Sequence, residues 1–242
     1  MDREFTDAAI EEIKQFMHTD LPPHQWTSEQ SVSKEQHAQA KVLPEVYDQP
    51  RLRAAIEEMF NPAESWDGQP KFTVFFKPYE PDAEAQLSPV GHIDFVQCQI
   101  PVFGSGCMFQ ISLVNSEPFG GNISIFPGTH TLIQKQIMDN PDVRYPAIMD
   151  AIPDVEPYEF VAEPGDVLFF HHLANHAGNA NHCAGRSPRL ALHCQALRET
   201  WLTAVDPANP NISPWERSMA TNGAFALPYD EREMLETHYG LR

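Results

Sequence analysis

The sequence predicts a mainly β protein, a sandwich or barrel, with helices flanking it. Three observations lead there. Between Lys71 and Ala196, short runs of alternating apolar and polar residues recur, each closed by Gly or Pro. Helical periodicity is confined to the two ends of the chain. No glycine-rich dinucleotide loop, Walker loop or internal repeat is present, which argues against a parallel α/β sheet. At 242 residues, 42% hydrophobic and 10% aromatic, the chain has material for one packed core. We therefore expect a single domain over 1–242, with a helical cover in 1–70, a β core in 71–200, and a loop and helix in 201–242.

Taken in order, residues 5–18 read as an amphipathic helix, with Thr6 as N-cap and Ala9, Ile10, Ile13 and Phe16 at helical spacing; Leu21-Pro22-Pro23 ends it. A polar stretch from His24 to Gln39 follows, in which Trp26 is a candidate for packing or for facing a substrate. Pro50 opens a second helix that stops at Asn61-Pro62. Strands are then expected at 71–77, 92–100, 107–114, 122–126, 159–162, 166–171 and 189–196, and a last helix from Asp230 to Tyr239.

Charge narrows the function. Sixteen Lys and Arg against 34 Asp and Glu give a net charge of −18. No cluster of five basic residues appears, so neither nucleic acid nor an anionic membrane is an expected partner. The N-terminal MDREFTDAAIEEIKQF resembles neither a signal peptide nor an anchor, and a cytoplasmic location is expected. Cys98, Cys107, Cys183 and Cys194 show no CxxC pairing and read as reduced, packed thiols.

The chemistry-bearing residues begin with His92-Ile93-Asp94. On a strand, residues two apart share a face, so an imidazole and a carboxylate would project together as two ligands of one metal. His171, His172 and His176 are candidates for a third. Two His and one carboxylate on one face of an octahedron leave open positions, the arrangement used by non-haem Fe(II) oxygenases. Arg189 opens the last strand of the β region, where a guanidinium facing the same cavity would grip a carboxylate through paired hydrogen bonds.

With GHIDF (91–95), GGNISIFPGTH (120–130), PGDVLFFHHLANHAGNAN (164–181) and SPRLALHCQA (187–196) in this order, the sequence resembles the phytanoyl-CoA dioxygenase-like family of Fe(II)/2-oxoglutarate oxygenases. The resemblance spans roughly residues 42–200, including a helix at 42–62. It implies a double-stranded β-helix, a distorted jelly-roll or cupin-like barrel. It implies that His92, Asp94 and His176 ligate Fe(II), that Arg189 holds the distal carboxylate of 2-oxoglutarate, and that O₂ is the second co-substrate. His171, His172 and His130 are then rim or loop-anchoring residues, and Arg186 a solvent-facing rival to Arg189. The carboxylate of Asp94 argues against halogenation, since related halogenases replace it with a small residue. One departure stands out: the family often carries a hydroxyl two residues after the distal His, where this chain has Gly178. Gln110, Lys77 and His193, on strands expected around the cavity, are the candidates to assist Arg189 with the co-substrate. The expected reaction is hydroxylation of a C–H bond with release of succinate and CO₂. The expected substrate is a small neutral, zwitterionic or cationic molecule rather than an acyl-CoA, which would need a basic track. The alternatives are a metal-dependent isomerase or lyase on the same barrel, and a non-catalytic binding module.

Overall fold

A computed structural model describes residues 1–27, 32–60, 71–82, 84–94, 96–97, 100–101, 106–183, 189–197, 204–219 and 225–226. Three helices come first: α1 (Arg3–Phe16), the single-turn α2 (Lys34–His37) and α3 (Pro50–Phe60). They are followed by β1 (Lys71–Lys77), β2 (Val96–Gln97), β3 (Ile100–Pro101), β4 (Gly106–Ser112) and β5 (Ile123–Ile125). Then come α4 (Thr129–Asp139), β6 (Tyr158–Glu159), β7 (Val167–His171), β8 (His176–Gly178), β9 (Arg189–Leu197), β10 (Ala204–Val205), α5 (Pro214–Met219) and β11 (Phe225–Ala226). The expected C-terminal helix, together with Cys98 and Arg186, lies outside the described residues.

The major sheet has the order β1-β9-β4-β7 and is antiparallel throughout; a minor sheet has the order β6-β5-β8. Alternation divides the major sheet into two faces. On the outer face Phe109, Ile111, Leu190, Leu192 and Cys194 are fully buried, and they pack with Phe5, Ile13, Leu43, Val46, Ile56 and Phe60 from the N-terminal segments. Each such side chain contributes roughly 1.5–3 kcal/mol of transfer free energy. The inner face meets the minor sheet through a smaller cluster of Met108, Ile123, Phe170 and Ala174. The thiol of Cys107 is pushed up to about 12 by burial, and that of Cys194 is raised as well, so both remain protonated apolar groups.

Several local expectations change. Helix α1 begins at Arg3 and not at Thr6, because Asp2 caps it by accepting from the Glu4 amide, while Thr6 is buried and donates to the Arg3 carbonyl. The polar stretch contains α2, opened by a capping box between Ser33 and Gln36. Trp26 is a packing residue: it is buried, donates to the Leu21 carbonyl at 2.9 Å and meets Phe76 edge-on. The segment from His92 is no continuous strand; His92 makes an isolated bridge, and β2 and β3 pair with each other as a short hairpin. The expected strand at 159–162 shortens to Tyr158–Glu159. Helix α4 was not anticipated, since its PGTH opening reads as a loop motif. None of the described helices is long and apolar enough to cross a membrane.

Glu12 ties the helical cover together. Its carboxylate, 8% exposed, accepts from the amides of Lys41, Val42 and Leu43 at 2.7–3.0 Å, and so caps the 3-10 turn Leu43–Asp48. Glu12→Ala leaves these donors without a protein acceptor, and should lower the free energy of unfolding by about 2–4 kcal/mol, with a smaller loss in Glu12→Gln, measured by denaturant titration.

Candidate functional site

The site is built where the loop before β2 meets β8. His92 and His176 exchange backbone hydrogen bonds, His92 N to His176 O at 2.9 Å and His176 N to His92 O at 3.0 Å. This bridge annexes the 91–94 segment to the open edge of the minor sheet. It demands a glycine at 91: a β-carbon there would stand 2.3 Å from Asn175 Oδ1 and 2.6 Å from the His176 carbonyl oxygen. Upstream, Asn179 fastens the same loop by accepting from the Ser88 amide at 2.8 Å while donating to Asn122 O and Ser124 Oγ.

The side chains of His92, Asp94 and His176 converge, each offering one ligand atom, with all three atoms within 4.8 Å of one another. His92 Nε2 lies 3.6 Å from Asp94 Oδ1, and His176 Nε2 lies 3.4 Å from Asp94 Oδ2. Convergence of His92 with Asp94 therefore does not need the extended strand that sequence spacing invokes; the bridge to β8 does the positioning. The donor set suits a divalent cation. The Nδ1 of His176 is 3.0 Å from the Ala174 carbonyl, which places the proton on Nδ1 and leaves the Nε2 lone pair facing the cluster. Neighbouring donors at the 3.4–3.6 Å seen here are close to the ~3 Å separation of adjacent ligands around a metal with ~2.1 Å bonds. Electrostatics agree with that. Desolvation, and then His176, hold His92 below the usual imidazole value, against the opposing pull of Asp94. Burial by itself would raise Asp94, but the surrounding imidazoles, His176 foremost, hold its carboxyl below the usual value.

Across the cavity stands Arg189, only 7% exposed, on the inner face of β9. Its Nη2 donates to Gln110 Oε1 on β4, and its guanidinium carbon lies 5.2 Å over the ring of Phe75 on β1. Its Nε is buried without a hydrogen-bond partner, and no carboxylate among the described residues pairs with it. Burial lowers its pKa to about 10, so the cation persists at neutral pH. A buried guanidinium without an acid partner is costly, and an anionic ligand relieves that cost.

The two groups share a cavity of about 500 Å³, lined also by Phe75, Lys77, Gly178 and His193. His193 points inward, its Nε2 3.9 Å from Asp94 Oδ2, and burial pushes its pKa down to about 4. Lys77 reaches the cavity, but its amino group also pairs with Glu80 at 3.4 Å. Phe75 was missed from the sequence; it lies two residues before Lys77, so strand alternation alone would have placed it on the same face.

His171 and His172 do not join this cavity. His172 is wholly buried, not a rim residue, and the rings of His171, His172 and Trp215 pack against one another. His171 faces the outer side of β7 and, with His130 and Trp215, lines a second cavity of about 400 Å³. Desolvation, followed by His172 and His130, holds His171 well below the usual imidazole value.

No protein-family model matches the chain, and no curated protein matches it. Solved structures do resemble it. The epimerase SnoN, in complex with Fe³⁺, alpha-ketoglutarate and nogalamycin RO, is 18% identical over 81% of this chain and 75% of its own, with a TM-score of 0.52. EctD from S. alaskensis, with 2-oxoglutarate and 5-hydroxyectoine, is 15% identical over 81% and 69%, with a TM-score of 0.53. The non-haem monooxygenase ThoJ is 12% identical over 85% and 75%, with a TM-score of 0.53. The sheet-rich fold of this chain is thus the one on which these non-haem enzymes are built.

The bridge is testable at Gly91. Gly91→Ala must displace the His176 backbone as well as the Asn175 side chain, and should destabilise the protein by about 1–3 kcal/mol. The same change should weaken Co(II) binding at least tenfold, read by visible absorption, because His92 leaves the cluster.

Proposed function

We propose that the protein is an Fe(II)- and 2-oxoglutarate-dependent oxygenase of the phytanoyl-CoA dioxygenase-like kind, and that its two sheets are the halves of a double-stranded β-helix. Its reaction is hydroxylation of a C–H bond in a small molecule: one O₂ and one 2-oxoglutarate are consumed, and the hydroxylated product, succinate and CO₂ are released. One observation carries this: a two-His, one-carboxylate set faces, across a single cavity, a buried guanidinium that no acid among the described residues pairs with. A metal-dependent isomerase or lyase would need the first group but not the second.

In this assignment His92, Asp94 and His176 hold the iron. Bound there, iron supplies the redox chemistry that couples decarboxylation of the 2-oxo acid to C–H oxidation. Arg189 fixes the distal carboxylate and so orients the 2-oxo end toward the cluster. Gln110 keeps the guanidinium from rotating, and because its Oε1 is taken by Arg189, its amide nitrogen faces elsewhere as a donor. His193 and Lys77 add polar groups to the wall that receives the co-substrate. Phe75 gives that wall an apolar surface, and Phe170 packs behind it, its ring centroid 5.0 Å from that of His176.

Anaerobic addition of Fe(II) and 2-oxoglutarate should produce the weak visible absorption of an iron-bound 2-oxo acid; folded, iron-loaded protein without it would overturn the assignment. Asp94→Ala should remove both that absorption and succinate release. Arg189→Ala should weaken 2-oxoglutarate by about 1.5–3 kcal/mol, on the order of ten- to a hundredfold, in the same titration. Iron loading should also fall with acid, since protons compete for the imidazole nitrogens. Desolvation and His176 lower His92, so the competition sets in below the usual imidazole range, and equilibrium loading measured against pH would show it.

A further inference from the structure

The cavity on the outer side of β7 is built differently from the one that holds the His-Asp-His cluster. The two share no lining residue among those described. Phe170 stands between them: it lines the second cavity, and its ring centroid lies 5.0 Å from that of His176. The second volume of about 400 Å³ falls within the ~300–1,000 Å³ of small-molecule sites. At interior packing density such a space holds roughly ten to fifteen non-hydrogen atoms. Its wall is aromatic. Phe126, His130, Phe169, Phe170, His171 and Trp215 reach it from the loop before α4, from α4, from β7 and from α5. Rings of this kind receive a flat π-system edge-on or offset, at centroid separations of about 4.5–7 Å.

None of the described residues lining this cavity is Asp, Glu, Lys or Arg. The imidazoles supply no charge either: desolvation holds His130 below, and His171 well below, the usual value, so both are neutral at neutral pH. A charged ligand would lose its hydration here without gaining a counter-charge. Polar groups are nonetheless present. His130, half-buried, stacks on His171 and has no hydrogen-bond partner among the described residues. Trp215, 4% exposed, keeps its Nε1 buried without a partner. A neutral imidazole and an indole N–H left in this state match a ligand that brings an oxygen. We propose that the second cavity is a binding site for an uncharged, flat, fused-ring molecule bearing one hydrogen-bonding oxygen. The rings of the ligand pack on the aromatic wall, and its oxygen meets the His130 imidazole. The proposal stands on this cavity alone and does not depend on the metal assignment.

The test uses 2-naphthol, which has the size, shape and single hydroxyl required and is uncharged at neutral pH, beside 2-naphthoate as its anionic counterpart. Each is titrated into the full chain without added metal, and the indole N–H signals are followed by proton–nitrogen NMR. The Trp215 signal is identified by its loss in Trp215→Phe. In the wild type, 2-naphthol should shift that signal with a Kd of about 100 μM or below, and 2-naphthoate should bind about tenfold more weakly or worse. His130→Phe keeps a ring but removes the nitrogens, and should weaken 2-naphthol about fivefold or more. Met59→Trp, at a half-buried lining position on α3, should fill the space and abolish the shift. A wild type whose Trp215 signal stays in place at about 1 mM 2-naphthol, on the order of the weakest affinity such contacts give, would overturn the proposal. So would equal binding of the two probes, or 2-naphthol binding that neither variant changes. The comparison of the two probes needs no variant to fold.

Discussion

The side-chain alternation of β9, held between β1 and β4, is the constraint on which both the core and the cavity depend. In register with its two neighbours, β9 sends Leu190, Leu192 and Cys194 outward under the N-terminal helices and Arg189, Ala191 and His193 inward. A slip of one residue would exchange these sets, driving a guanidinium into the helical core and leucines into the cavity. Register is therefore enforced by hydrophobic burial on one face and is inherited by the functional groups on the other. Gln110 meets Arg189 because β4 is registered against the same strand.

Charge is organised on the same scale. The chain carries −18 overall, yet its buried cation Arg189 pairs with no acid among the described residues, and the half-buried Asp94 is surrounded by imidazoles. Had Asp94 and Arg189 paired with each other, each would have satisfied the other and neither would be left for a ligand. Their separation across the cavity keeps one end suited to a cation and the other to an anion. The net charge thus says little about what this cavity accepts; the local arrangement of a few side chains decides it.

How much of this was legible in the sequence follows from what is local. The strands that carry alternation, β1, β4, β7 and β9, lie within a residue or two of where periodicity places them, and the helix from Pro50 to Phe60 is as read, since a proline start and helical spacing are local signals. The inward face of Arg189, Ala191 and His193 follows from alternation alone. The mode of assembly around His92 does not. Its bridge to His176 joins residues 84 positions apart, and Gly91 owes its necessity to a carbonyl on another strand. His172 likewise looked like a polar rim residue, because nothing in its neighbourhood announces the packing against His171 and Trp215 that accompanies its burial.

Helix α4 shows how a segment outside the cavity contributes to it. Thr129, wholly buried in its first turn, accepts from the Asn175 amide at 2.9 Å, while the Phe126 amide donates to the Asn175 carbonyl at 2.9 Å. Both sides of the Asn175 backbone are thereby fixed by the loop and helix start at 126–129. One residue earlier, the Ala174 carbonyl orients the His176 ring, and one residue later His176 enters β8. The crossing from the major sheet to the minor sheet takes place within 172–175, so any freedom there would pass directly to His176. The PGTH segment, which read as a loop motif, is placed where it removes that freedom: its threonine anchors the backbone from which a buried imidazole faces the cluster, and its histidine faces the other cavity.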